Sequence, residues 1–151
     1  MTGTVQRQDE AEIRQLIDEQ AIAMRARDAE RLLAARYAPE IVKFDLAPPL
    51  QHTGPQLLDV PRLQRWFAGF DGPIDYEIRD LTVTAGENVA FAHSLNRLST
   101  TPYGATEKVD LWFRATVCLR KLDGTWRITH EHNSTPFYVD GSFRAAVDLR
   151  P

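Results

Sequence analysis

The chain has 151 residues, 43% of them hydrophobic and 26% charged, with a net charge of -3. That is room for one domain with a real core, in an ordinary globular composition. It offers no basic footprint for nucleic acid, no apolar run long enough to span a bilayer and, in its polar first nine residues, no signal-peptide core. Cys118, the single cysteine, has no internal disulfide partner and fits a reducing, cytoplasmic setting.

Residues 1–8 read as a polar tail. From Asp9, an apolar stripe of Ile13, Leu16, Ile17, Ala21 and Met24 predicts a helix ending near Arg27. Asp9 and Glu10 suit its positive first turn, and Arg25 and Arg27 its last. Gln20 interrupts the stripe, either bonded to backbone at the core's edge or pointing into a polar cavity. Asp28 is placed to cap a second helix over 29–36, which Pro39 should stop. Residues 41–45 read as a short strand and 46–55 as a loop broken by prolines and Gly54. Asp59 then precedes a third helix with Pro61 in its first turn and Leu63, Trp66, Phe67 and Phe70 on its apolar face. That face serves equally as core packing or as a lid over a pocket mouth.

From Pro73 the period shortens to two. Strands are predicted over 74–84, 89–99 and 109–120, with a loop over 100–106. Asp123-Gly124 is a strong hairpin turn into a last strand, WRITHEHNSTPF, which Pro136 ends. Strict alternation puts Trp126, Ile128, His130 and His132 on one face and Glu131 and Asn133 on the other. His130-x-His132 has a spacing that suits zinc, with Asp110 or His93 as a third ligand, but no clear third ligand exists, so no metal is expected. A subunit contact, with the histidines bonded to neighbours beside Trp112, explains the pair better. Residues 138–151 stay unassigned, and the tails 1–8 and 140–151 are expected to be peripheral to one domain. Helices followed by antiparallel strands make an α+β fold.

This order resembles the cone-shaped fold shared by nuclear transport factor 2, ketosteroid isomerase, scytalone dehydratase and the SnoaL-like polyketide cyclases. The resemblance spans about 9–137. It rests on the helix ending Arg27-Asp28, on 41–45, on Gly86-Glu87-Asn88-Val89-Ala90-Phe91 and on Asp123-Gly124-Thr125-Trp126. HEHNSTPF looks most like the small bacterial SnoaL-like proteins and like the end of the association domain of calmodulin-dependent kinase. The resemblance implies a curved antiparallel sheet wrapped round the first helix. Ketosteroid isomerases use a helix Tyr and a late-strand Asp as oxyanion donors, with another Asp as base. The Tyr position falls at Gln20 and the late Asp near Thr116 or Val117, while the base position is kept as Asp45. The resemblance also turns His93 and Leu95 to the cavity, with Phe113, Ala115, Val117, Glu131 and Asn133. It turns Trp112, Arg114, His130 and His132 outward.

The expected site therefore has Asp45, His93 and Glu131 as catalytic groups. Its ligand-binding walls are Gln20, Met24, Trp66, Phe67, Leu95, Phe113, Val117 and Asn133. Bland alternatives are a solvated loop carboxylate for Asp45 and a salt bridge to Arg97 for Glu131. No Gly-rich phosphate loop or nucleophile elbow is present, and no cofactor is expected. Two functions stay open: an isomerase, cyclase or dehydratase acting on a small hydrophobic carbonyl compound, or a non-catalytic ligand-binding or association module. A homodimer is expected through Trp112, Cys118, Trp126 and Ile128 on an apolar outer face.

Overall fold

A computed structural model describes residues 2–34 and 36–151. Helix α1 spans Thr2–Ala26, α2 Ala29–Leu33 and α3 Val60–Ala68, with a 3-10 turn at Pro55–Leu58. Strands β1 (Tyr37–Phe44), β2 (Phe70–Ala85), β3 (Val89–Pro102), β4 (Val109–Leu122) and β5 (Thr125–Ser134) form one sheet in the order β1-β5-β4-β3-β2. β1 runs parallel to β5, and the other neighbours are antiparallel. The architecture is the expected α+β cone, a curved mixed sheet packed on α1. No helix among the described residues is long and apolar enough to cross a membrane.

The boundaries differ where tertiary contacts override local chemistry. Most of the expected 1–8 tail is helical: α1 starts at Thr2, and Gln6 Nε2 reaches back to the Ala85 carbonyl at 3.2 Å. The helix ends where Arg27 turns left-handed at φ +54, and Asp28 then caps α2 by accepting from Arg31 N at 3.0 Å. α2 stops at Leu33 rather than Arg36, and Ala35 lies outside the described residues. Pro39 falls inside β1, which begins at Tyr37; an edge strand tolerates a missing N–H. β2 begins at Phe70, expected on the apolar face of the third helix, which ends at Ala68; β3 runs on into the expected 100–106 loop, pairing Phe70 with Pro102. Asp123 and Gly124 both have positive φ, as a type I′ hairpin turn requires. Residues after Ser134 are irregular, joined by a bridge between Phe137 and Ala145.

The core lies between α1 and the concave sheet. Ile13 and Ile17 pack on Ala90, Ala92, Val117, Leu119, Trp126 and Ile128 at one end. Ala21, Met24, Phe67, Tyr76 and Phe113 form the other end. Two corrections follow from burial. Trp126 and Ile128 are 3% and 0% exposed, inside the cone rather than on its outer face. Glu131 is buried on that same inner side. A bulge reconciles them: Cys118 pairs with His130 and Leu119 with Ile128, so Thr129 is the extra residue and parity flips across it. His93 and Leu95 are the second correction. They pair with Thr116 and Arg114 on the outer face, while Ala90, Ala92, Ser94 and Asn96 face inward. The inside of a tightly curled sheet under a helix has room for alanine and serine, so the larger Val89 and Phe91 point out.

Asp9 is not an exposed first-turn carboxylate either. It is 4% exposed and accepts from Lys121 Nζ at 2.9 Å and Trp126 Nε1 at 3.0 Å. The hydrogen bonds from Trp126 and then Lys121 hold its carboxyl below the ordinary range against the opposing effect of burial. A depressed folded-state pKa gives stability that is present above the unfolded pKa, about 4, and fades as pH falls through the folded value. Asp9→Asn keeps an acceptor for Trp126 but loses the charge. Urea unfolding should show it about 1.5–3 kcal/mol less stable at neutral pH, with a smaller further loss between pH 5 and pH 2 than the wild type. An identical acid profile would show that Asp9 is not ionised in the fold.

Candidate functional site

The inner faces of β1 and β5 carry a column of polar groups. Lys43 is opposite Glu131, and Phe44 opposite His132. One residue further on, the Asn133 amide donates to Asp45 Oδ1 at 3.4 Å. Asp45 and Asn133 are therefore at the mouth of the cone, and Lys43 and Glu131 lie about 7 Å deeper, two residues along each strand. Lys43 Nζ is 3.3 Å from Glu131 Oε2, and the Tyr37 hydroxyl donates to Glu131 Oε1 at 3.2 Å. Burial alone would pull the Lys43 ammonium down. The charges of Glu131 and Asp45 outweigh it and hold Lys43 above the ordinary lysine range. Burial, then the Glu131 charge, pushes the Tyr37 hydroxyl up, so it stays a proton donor at neutral pH.

A second polar group lies within the core on α1, β2 and β3. Gln20 Nε2 donates to the Tyr76 hydroxyl at 3.3 Å, and Asn96 Nδ2 donates to it at 2.9 Å. Arg36, buried under α1, donates to the Leu16 carbonyl and, at 3.3 Å, to Gln20 Oε1. Burial raises the Tyr76 pKa; the Asn96 hydrogen bond opposes the rise and the Glu131 charge adds to it. Gln20 thus bonds to the Tyr76 and Arg36 side chains rather than to backbone.

At the mouth, a cleft of about 580 Å³ is lined by Asp45, Asn133, His132, Phe44, Leu46 and Leu50, with Gln51, Ser134 and Thr135 beside them. Of the expected site residues, the structure brings Asp45 and Asn133 to this cleft, Glu131 just beneath it and Gln20 to the deeper network. Met24, Phe67, Phe113 and Val117 are packed into the core, and none of them borders this cleft. Trp66 is 42% exposed, stacked edge-on against Phe70 with ring centroids 4.8 Å apart. His93 and Leu95 are on the other side of the sheet. Glu131 pairs with Lys43 and not with Arg97, which Asp110 holds at 2.7 Å. His130 and His132 flank Phe44 on the outer side, and His130 Nδ1 lies 2.7 Å from the Val42 carbonyl. Among the described residues no three His, Cys, Asp or Glu side chains converge on a common point.

Tyr37, Lys43, Tyr76, Ser94 and Asn96 escaped the sequence reading. Inverting β3 would have exposed Ser94 and Asn96, and extending β1 back through Pro39 would have aligned Tyr37 and Lys43 with Glu131. The chain matches the SnoaL-like domain over residues 13–138. It belongs to that family. It is similar to a nuclear transport factor 2-like protein of unknown function from Pseudomonas putida KT2440, at 36% identity over 96% of this chain and 98% of that one, with a TM-score of 0.81. A candidate scytalone dehydratase from Novosphingobium aromaticivorans shares the fold at 17% identity over 97% and 95% of the two chains, TM-score 0.72. A nuclear transport factor 2-like superfamily protein from Salmonella enterica does so at 16% identity over 94% and 98%, TM-score 0.71. No curated protein matches the sequence.

Proposed function

We propose that the protein binds a small hydrophobic carbonyl compound at the mouth of the cone and acts on it by cofactor-free acid–base chemistry, as an isomerase, cyclase or dehydratase. One observation carries this reading: Asp45 is exposed at the cleft, two residues along from Lys43, which pairs with the buried Glu131. A carboxylate there can take a proton from a carbon next to a carbonyl. The Lys43 ammonium beneath the cleft offers positive charge toward the oxygen on which negative charge then develops. The apolar walls of Phe44, Leu46 and Leu50 suit a hydrophobic substrate body. The steroid-isomerase donor pair is not reproduced, since Gln20 stands at one position and Thr116 or Val117 at the other, so a steroid is not the favoured substrate.

The test needs no knowledge of the final product. Cyclic enones and 1,3-dicarbonyl compounds are incubated with the protein in D2O, and loss of the α-proton NMR signal is followed. Catalysed exchange supports an enzyme. Binding of these compounds without faster exchange would establish the alternative, a carrier or association module.

A cytoplasmic homodimer completes the reading. With Trp126 and Ile128 in the core, the outer face still carries Phe91, Leu95, Trp112 and Cys118, and Phe91 is 51% exposed. Light scattering at micromolar concentration should give about twice the 17.2 kDa chain mass. A single 17.2 kDa species would rule the dimer out.

A further inference from the structure

After Ser134 the chain doubles back on itself. The Ala146 N–H donates to the Pro136 carbonyl at 2.8 Å, the Thr135 hydroxyl to the Ala146 carbonyl at 3.4 Å, and the Tyr138 N–H to the Arg144 carbonyl at 2.8 Å. Ala146 is 2% exposed, so this turn is pinned to the body of the protein. Between it and the sheet lies a second pocket of about 160 Å³, bordered by Leu95, Trp112, Arg114, Pro136, Leu149 and Arg150. Leu95 and Arg114 are a cross-strand pair on the outer face, so the pocket is on the opposite side of the sheet from the core. Thr135 is the one residue it shares with the Asp45 cleft.

The lining combines apolar walls, from Leu95, Trp112, Pro136 and Leu149, with two guanidinium groups and no carboxylate. Arg114 uses its Nε–H on Ser134 Oγ at 3.2 Å, and among the described residues no acid pairs with it. The acid nearest Arg150 is Asp110, 3.7 Å away, and Arg97 already holds both oxygens of Asp110 at 2.7 and 2.9 Å. Positive charge beside an apolar pocket is matched to an anion, and a planar guanidinium fork fits a carboxylate. The volume is below that of pockets for drug-sized ligands, which limits the guest to about one ring. We propose that this pocket binds a small monocarboxylate with an apolar body, an aromatic or alicyclic acid. Arg114 and Arg150 take the carboxylate, and Trp112 and Leu95 pack on the ring. The proposed dimer face also includes Leu95 and Trp112, so the pocket is at the margin of that face, about 13 Å along β3 from Phe91. The assignment does not depend on the acid–base reading of the Asp45 cleft.

Benzoate, benzamide and acetate separate the two requirements. Calorimetric titration of the full chain should show saturable benzoate binding in the millimolar range or tighter. Benzamide keeps the ring without the charge, and acetate keeps the charge without the ring, so each should bind at least about ten-fold more weakly. Arg114→Gln should weaken benzoate about ten- to a hundred-fold, the effect of losing one charge-assisted contact. Of the three tryptophans, Trp112 alone borders the pocket, so benzoate should change the tryptophan emission. Trp112→Phe should abolish that change while calorimetry still finds binding. Four results would each overturn the assignment: benzoate that does not saturate, benzamide that binds as well, affinity unchanged in Arg114→Gln, or an emission change that survives Trp112→Phe. Arg114 is exposed, so its substitution leaves the fold intact. The comparison of benzoate with benzamide uses only the wild type and decides the matter whatever the variants do.

Discussion

Glu131→Ala should destabilise the protein by about 3–5 kcal/mol in urea unfolding, the size expected when one partner of a buried pair is removed. Glu131 is 4% exposed and answers two groups at once, the Lys43 ammonium and the Tyr37 hydroxyl. Truncation leaves a mostly buried cation and a buried hydroxyl with no acceptor. Glu131→Gln keeps an oxygen for Tyr37 but brings N–H groups to Lys43, so it should cost less than the alanine change yet more than a surface substitution. The decisive comparison is the double variant Lys43→Met with Glu131→Leu. Replacing both charges with apolar groups of similar volume removes the need for compensation, so much of the lost stability should return. A double variant as unstable as Glu131→Ala would mean that packing of the Glu131 side chain matters and its charge does not. A rescued fold without proton exchange or ligand binding would mark the pair as functional.

The helices and strands were legible because their periods are clear, and the family strings placed them in a cone. The faces were less legible, for physical reasons that differ by strand. In β4 the inner side is Phe113, Ala115, Val117 and Leu119, as the alternation reads. In β3 the same reading fails, because Val89 and Phe91 look like core residues while Ala90, Ala92 and Ser94 look like a weak face. Close approach of α1 reverses that preference, and only the paired strand reveals it: Ser94 opposite Ala115 must share its side. In β5 only the second half was placed on its true side: Glu131 and Asn133 face inward as read, whereas Trp126 and Ile128, read as an outer face, are core. Trp126 and Ile128 belong in the core, and Glu131 and Asn133 belong in the cavity. Strict alternation forbids both, and the bulge at Thr129 allows both. A polar pair and an apolar pair of opposite parity that both need the inside is itself a sign of a bulge near a site. Asp45 was found through the resemblance. Lys43 was not, because a lysine beside a short edge strand looks solvated until Glu131 is known to face it.

Asp45→Asn should slow α-proton exchange about 100- to 10,000-fold, the usual contribution of a positioned general base. The substitution keeps shape and removes the group that accepts the proton. It also keeps the local structure. Asp45 Oδ1 accepts from Leu46 N at 2.8 Å and from the Asn133 amide at 3.4 Å, and an asparagine oxygen can take both bonds. The exposed position carries no buried partner whose loss would unfold the chain, so the urea midpoint should stay within about 0.5 kcal/mol of wild type. Ligand affinity should change little, since the cleft walls are untouched. A variant that folds and binds but does not exchange protons would separate chemistry from recognition. Asp45→Asn with undiminished exchange would move the base elsewhere, and Glu131, the next carboxylate inward on the same face, would be the one to test.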